Sequence, residues 1–176
     1  LVPANKKGVG AGLGETYMQD LVDLNAKNIT CNWVFNQFIA QNPIFGNNIP
    51  YIYGGKQYYI NGGEIDAWDH HLTFYEQHGI AVSAIVLIPI WASDPSMTPV
   101  LVHPDNNGGY YSMPNMTTME SVNAYAAILN YLASRYNGSG HGRIEHWIMH
   151  NEVDMATTWT NMGNPPEMVY IDEYLK

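Results

Sequence analysis

One cysteine, Cys31, stands in the whole 176-residue sequence, so an internal disulfide is excluded. Its place in an apolar stretch marks it as a buried, inert thiol. Cations are nearly as scarce: 7 Lys and Arg stand against 16 Asp and Glu, a formal net charge of −9. That balance excludes a duplex nucleic acid partner, because neutralising phosphates needs a basic surface. No uninterrupted apolar run reaches transmembrane length, and the longest, 80–91, contains Ser83 and Pro89. No membrane partner is expected. The segment 1–7 lacks the apolar core of a signal peptide; the expected setting is nonetheless secreted or periplasmic rather than cytoplasmic. Charged residues make up only 13% and hydrophobic ones 46%, a globular balance. Aromatics are what the sequence has in excess, with 13 Tyr and 5 Trp. That excess suits either a Tyr-rich core or the stacking of sugar C–H faces on rings. Sequons at Asn28, Asn115 and Asn137 would count only in a eukaryotic secretory host.

Units of helix then strand follow one another along the chain. Tyr17, Met18, Leu21 and Val22 predict a helix over 15–26, and a β-branched, aromatic strand follows over 28–35. Ile65, Trp68, Leu72 and Tyr75 predict a second helix starting near Glu64, with Gly79 as the glycine that ends it. The near-continuous apolar run 80–89 then reads as a strand buried on both faces. A third helix, capped by Thr117 or Thr118, carries the stripe Val122, Tyr125, Ala126, Leu129, Leu132, Ala133 and Tyr136. It leads to a strand over 144–151. A fourth helix opens after Pro165-Pro166 and is expected to continue to the end at Lys176. The glycine-rich segment 8–12 is the expected first strand. Repeated units of this kind imply parallel strands joined by right-handed crossovers. Two elaborations follow strands: a β-hairpin over about 49–60, turning at Gly54-Gly55, and a long irregular loop over about 92–116. In α/β barrels the loops after strands build the active face.

Chemistry concentrates in Trp147-Ile-Met-His-Asn-Glu152, at the end of the strand after the third helix. With the preceding Tyr136-Asn-Gly138 turn, this segment resembles the fourth barrel strand of clan A glycoside hydrolases, which ends in Asn-Glu. More closely, from about Lys6 onward the chain resembles a largely uncharacterised bacterial family related to those barrels. That resemblance is carried by the Tyr58-Tyr59 hairpin, by Leu101-Val-His-Pro-Asp105 and by Trp147-Ile-x-x-Asn-Glu-Val153. It implies a (β/α)8 TIM barrel, of which residues 1–176 would supply the first four β/α units. It also implies retaining hydrolysis of an oligosaccharide or polysaccharide, with Glu152 as general acid then base and Asn151 binding the hydroxyl beside the reacting carbon. Such cleavage needs a proton donor for the leaving oxygen and a carboxylate to meet the oxocarbenium-like centre. The second carboxylate, a Glu ending the seventh strand, is expected beyond Lys176, so the remaining half of the barrel is the expected partner. This chain alone is expected to be inactive.

Two departures from the clan pattern stand out. Asn-Glu continues as Val153-Asp154 instead of Pro, and the strand 28–35 lacks the Arg that many members place there; Asn32 or Asn36 could substitute. Further candidate substrate contacts are His150, a hydrogen-bonding neighbour of Glu152, and His103, which otherwise structures its loop. Trp91 and Trp159 are stacking platforms or core residues. His146 and His150 share a strand face with Glu152 in this reading. Yet a spacing of four on a strand separates the rings by ~13 Å, too far for shared metal coordination. His70-His71 reads as solvated. No cofactor is expected, since Gly8-Val-Gly-Ala-Gly-Leu-Gly14 lacks the spacing of a dinucleotide turn. The alternatives are a non-catalytic carbohydrate-binding or structural barrel and, behind it, a metal-dependent hydrolase.

Overall fold

The computed structural model describes residues 5–10 and 17–176. In chain order the strands are β1 (Gly8–Gly10), β2 (Asn28–Val34), β3 (Ile39–Ala40), β4 (Asn48–Tyr53), β5 (Lys56–Asn61), β6 (Ala81–Leu87) and β7 (His146–Met149). The helices are α1 (Met18–Asp23), α2 (Gly62–Gln77), α3 (Thr98–Leu101), α4 (Met119–Arg135), α5 (Ala156–Trp159) and α6 (Glu167–Tyr174). The chain is mixed α/β: a parallel four-stranded sheet of order β1-β2-β6-β7 and an antiparallel three-stranded sheet of order β3-β5-β4.

Caps in the sequence set the helix ends. Asn61 starts α2 by accepting from the Gly63 and Glu64 amides at 3.2 and 3.4 Å, and Thr118 starts α4 by accepting from the Ser121 amide at 3.1 Å. At the other end of α2, Gly79 takes a left-handed φ of 64°. The Gly79 and Ile80 amides then reach back to the carbonyls of Glu76 and Tyr75, closing a Schellman motif that delivers the chain into β6. Asn25, at φ 53°, does the same for α1. That turn ends α1 before the expected Ala26; the expected first residues of this helix, Glu15 and Thr16, lie outside the described residues, as do residues 11 and 12 of the expected first strand.

The parallel sheet packs one face against the helices. Ile29, Cys31 and Trp33 of β2 alternate inward with Val82, Ala84 and Val86 of β6 in register beside them. Trp33 is the hub: fully buried, it stacks on Phe38 and on Trp68 of α2, meets Tyr136 edge-on and lies tilted against Trp147. Cys31 is buried there and burial pushes its thiol up to about 12, which keeps it protonated and unreactive. The opposite face, with Thr30, Asn32, Ser83, Ile85, His146 and Ile148 in register, is only half-buried or exposed among the described residues. Outside the sheet, Asp69 of α2 takes a two-point bond from Arg135 of α4 and a third contact from His141. Burial raises the Asp69 carboxyl, but the hydrogen bonds and charge of the Arg135 guanidinium outweigh it and hold it below its usual range.

Several expectations are corrected. The buried residues of α4 are Ser121, Ala124, Tyr125, Ala127, Ile128 and Leu132, while Val122, Ala126 and Leu129 are half-buried and Ala133 is exposed. This helix is apolar over a wide arc because the hairpin also lies on it, with Tyr51 bonded to Asn130 and packed edge-on to Tyr131. The segment 92–116 is not irregular throughout. It contains α3 and a 3-10 turn at Pro95–Met97, which Asp94 caps while also accepting from the Gln41 amide at 2.9 Å. Strand β7 stops at Met149 instead of Asn151, and α6 ends at Tyr174 rather than running on to Lys176.

Candidate functional site

Because β2, β6 and β7 are parallel, the segments that follow them leave from one end of the sheet. At that end β7 gives way to a tight turn: His150 and Glu152, neither a glycine, hold left-handed φ values of 67° and 40°. Each such residue costs on the order of 1–3 kcal/mol and persists only where its surroundings impose it. Here helix α6 supplies the constraint. Its Tyr174 and Tyr170, one turn apart, donate hydroxyl bonds to the Met149 carbonyl at 2.8 Å and the Val153 carbonyl at 2.7 Å. They thus bracket His150-Asn151-Glu152 on both sides. The Glu152 carbonyl accepts from the Met155 amide at 2.7 Å, which starts the turn into α5. Removing both hydroxyls (Tyr170→Phe with Tyr174→Phe) is expected to cost about 1–3 kcal/mol in total, read as a drop in the urea midpoint. No change would mean that the turn holds itself.

His150 does not lie beside Glu152 on a common strand face. The left-handed backbone breaks the alternation, so its ring goes into the helix layer between Tyr125 and Tyr174, at centroid distances of 6.3 and 6.2 Å. His146 stays on the open face of the sheet, and among the described residues no three His, Cys, Asp or Glu side chains gather as a metal set. The ring of His150 is 6% exposed, and its Nδ1 is sealed from solvent with no hydrogen-bond partner. Burial pushes its pKa down to about 4, against a smaller upward pull from the Val86 backbone. It is therefore neutral in the fold, while the unfolded chain protonates near 6.5. The stability tied to neutral His150 is complete above that pH and is lost as pH falls towards 4, a swing of about 3 kcal/mol. His150→Asn, which tolerates the same backbone, should flatten the stability profile over that window; an unaltered slope in denaturation midpoints would place the titration elsewhere.

Glu152 itself is exposed and Asn151 half-buried. Apolar enclosure of the carboxylate, which an acid needs in order to stay protonated, is not provided by the described residues. His103 is buried and organises its loop: its Nδ1 accepts from the Asp105 amide at 3.1 Å, and burial lowers its pKa. Asn36 is fully buried at the end of β2. Its amide donates to the Pro89 and Trp91 carbonyls at 2.8 and 3.0 Å, so it ties the ends of β2 and β6 together and has no face toward solvent. Trp91 is 51% exposed. Trp159 is half-buried and lies flat on Tyr111, with centroids 5.1 Å apart and planes within 5°.

The structure adds residues that sequence reasoning passed over. Tyr110 and Tyr111 were hidden in a glycine-flanked loop, although a Tyr pair there was itself a signal. Tyr170 and Tyr174 carried a clearer one, a spacing of four on an expected helix. A pocket of about 540 Å³ lies between α4, the end of β7 and α6, lined by Val122, Tyr125, Leu129, Met149, His150 and Glu173 among others.

The family of unknown function DUF5722 matches residues 2–176. The chain belongs to that family. No curated protein and no solved structure matches it. Within this DUF5722 chain the turn after β7 carries Glu152 and Asp154, and the loop of Tyr110 and Tyr111 is bonded to the segment that follows that turn.

Proposed function

We propose that this chain is the N-terminal half of a (β/α)8 glycosidase barrel that cleaves oligo- or polysaccharide with retention. The observation that carries this reading is the placement of Asn151-Glu152 at the C-terminal end of the fourth of four sequential parallel strands, on a left-handed turn braced by α6. Strands added in one direction with right-handed crossovers put all their helices on one side, as a barrel wall does and a doubly wound sheet does not. The half-open second face, with Ile85 and Ile148, is what the remaining strands would cover. Glu152 would protonate the leaving oxygen and then activate water. Asn151 would hold the neighbouring hydroxyl, and the remaining half would contribute both the nucleophile and the enclosure that Glu152 lacks here. In retaining enzymes the two carboxyl groups stand ~5 Å apart.

The exposure of Glu152 favours a second reading, a barrel that binds carbohydrate without cleaving it. A metal-dependent hydrolase is disfavoured because His146 and His150 point to opposite sides of the sheet. A glycan panel offered to the full-length protein, with the anomer of the first product followed by NMR, separates these readings. Retention of configuration is expected. Inversion excludes the retaining mechanism, and binding without products leaves the second reading.

A further inference from the structure

We propose that the glycan received at this end of the sheet is uncharged, and that it lies across an aromatic floor formed by the exposed rings of Trp91 and Tyr110, beside the stacked pair of Tyr111 and Trp159. This rests on the carbohydrate reading above but not on catalysis. The floor is built rather than incidental. The segment carrying Tyr110 and Tyr111 is stitched on one side to the end of β6, through the Pro89–Tyr111 bridge and the Ser112 amide on the Ile88 carbonyl at 2.7 Å. On its other side it is stitched to the segment after β7. There the Tyr111 amide reaches the Thr158 carbonyl at 3.0 Å, and the Asn161 amide reaches the Tyr111 carbonyl at 3.2 Å. Tyr111 and Trp159 stiffen one another by stacking. Tyr110 stands 81% exposed and Trp91 51% exposed, with Ile90 beside it at 41%. Large aromatic faces left in water gain free energy when an apolar surface covers them, and a pyranose with equatorial hydroxyls offers a flat C–H face for that purpose.

Charge decides which glycan. The segments that follow β2, β6 and β7 (residues 35–61, 88–118 and 150–166) hold a single cation, Lys56, and it is paired with Glu120 at 2.6 Å. They hold four acids, Asp94, Asp105, Glu152 and Asp154. Uronate and sulfate groups are recognised by Arg forks or Lys, and no Arg lies in these segments. A polyanionic chain would be repelled from this surface, whereas a neutral one meets rings and amides.

The test uses the full-length protein carrying Glu152→Gln, so that bound chains persist. Affinity electrophoresis and calorimetry are run at low salt with mixed-linkage β-glucan, galactomannan and amylose, and with polygalacturonate and chondroitin sulfate. At least one neutral glycan should bind. Trp91→Ala and Tyr110→Ala should each weaken that binding about tenfold while leaving the circular dichroism and melting temperature unchanged. The anionic polymers should not bind. Salt-sensitive binding of an anionic polymer, indifference of neutral-glycan binding to both substitutions, or no binding of any neutral glycan overturns the proposal. The catalytic reading fails separately: binding to the floor without turnover by the unsubstituted protein removes the hydrolase and leaves the floor. Turnover that both substitutions leave unchanged removes the floor and leaves the hydrolase.

Discussion

Glu152→Gln in the intact protein is expected to lower turnover by ~10²–10⁴-fold, the usual worth of a positioned general acid–base. Gln keeps the length and planarity of the side chain but cannot deliver a proton to a leaving oxygen. The position is exposed, with no described side-chain partner for its carboxylate, so stability should move by no more than about 0.5 kcal/mol. Loss of activity in a folded protein would therefore report chemistry. The loss should also depend on the substrate. A glycoside whose leaving group departs without protonation bypasses the acid role, so its first step should be much less affected than that of the natural glycan. Asp154 is two residues further on and also exposed, and Asp154→Asn should leave turnover within a few-fold. Full activity of the Glu152 variant on the natural substrate would remove the acid/base assignment. A comparable loss in the Asp154 variant would move the assignment along the turn.

Trp33→Ala should be the most destabilising single substitution in the described core. The indole is fully buried and touches rings from the segment after β2, from α2, from the turn after α4 and from β7. Truncating a buried Trp removes its transfer free energy and leaves a cavity that rigid neighbouring rings cannot close, at a cost of about 3–5 kcal/mol. For a domain whose total stability is about 5–15 kcal/mol, that is enough to shift the urea midpoint strongly and to unfold a marginal protein near 37 °C. Trp33→Phe, which keeps a ring in the cluster, should cost clearly less. Trp91→Ala should cost almost nothing, because that side chain stands largely in solvent. Equal costs at positions 33 and 91 would refute the placement of the core.

The helices and strands were legible because each follows from a local rule. Gly79 ends α2 where a glycine can take positive φ, Thr118 caps α4, and the apolar run 80–89 makes β6. The buried face of α4 was less legible. Its apolar arc is wide enough to serve the sheet, the hairpin and the pocket under α6, and only the arrangement of those neighbours chooses which residues are sealed. Asn36 shows the same limit from the polar side. An Asn after a strand can face ligand or backbone, and here the carbonyls of Pro89 and Trp91, more than fifty residues away in sequence, take it.

The turn after β7 divides the two sources of information most sharply. By itself the sequence determined that an Asn-Glu pair follows a strand in a repeating α-then-β chain, because periodicity and caps act over a few residues and survive without the rest of the fold. Only the tertiary structure decided that the strand stops at Met149, that His150 turns into the helix layer, and that Glu152 is left in solvent. Those outcomes depend on two tyrosine hydroxyls arriving from α6, twenty or so residues downstream. A left-handed backbone at His150 is unfavourable locally, so no local pattern announces it; it exists because distant groups make the alternatives worse.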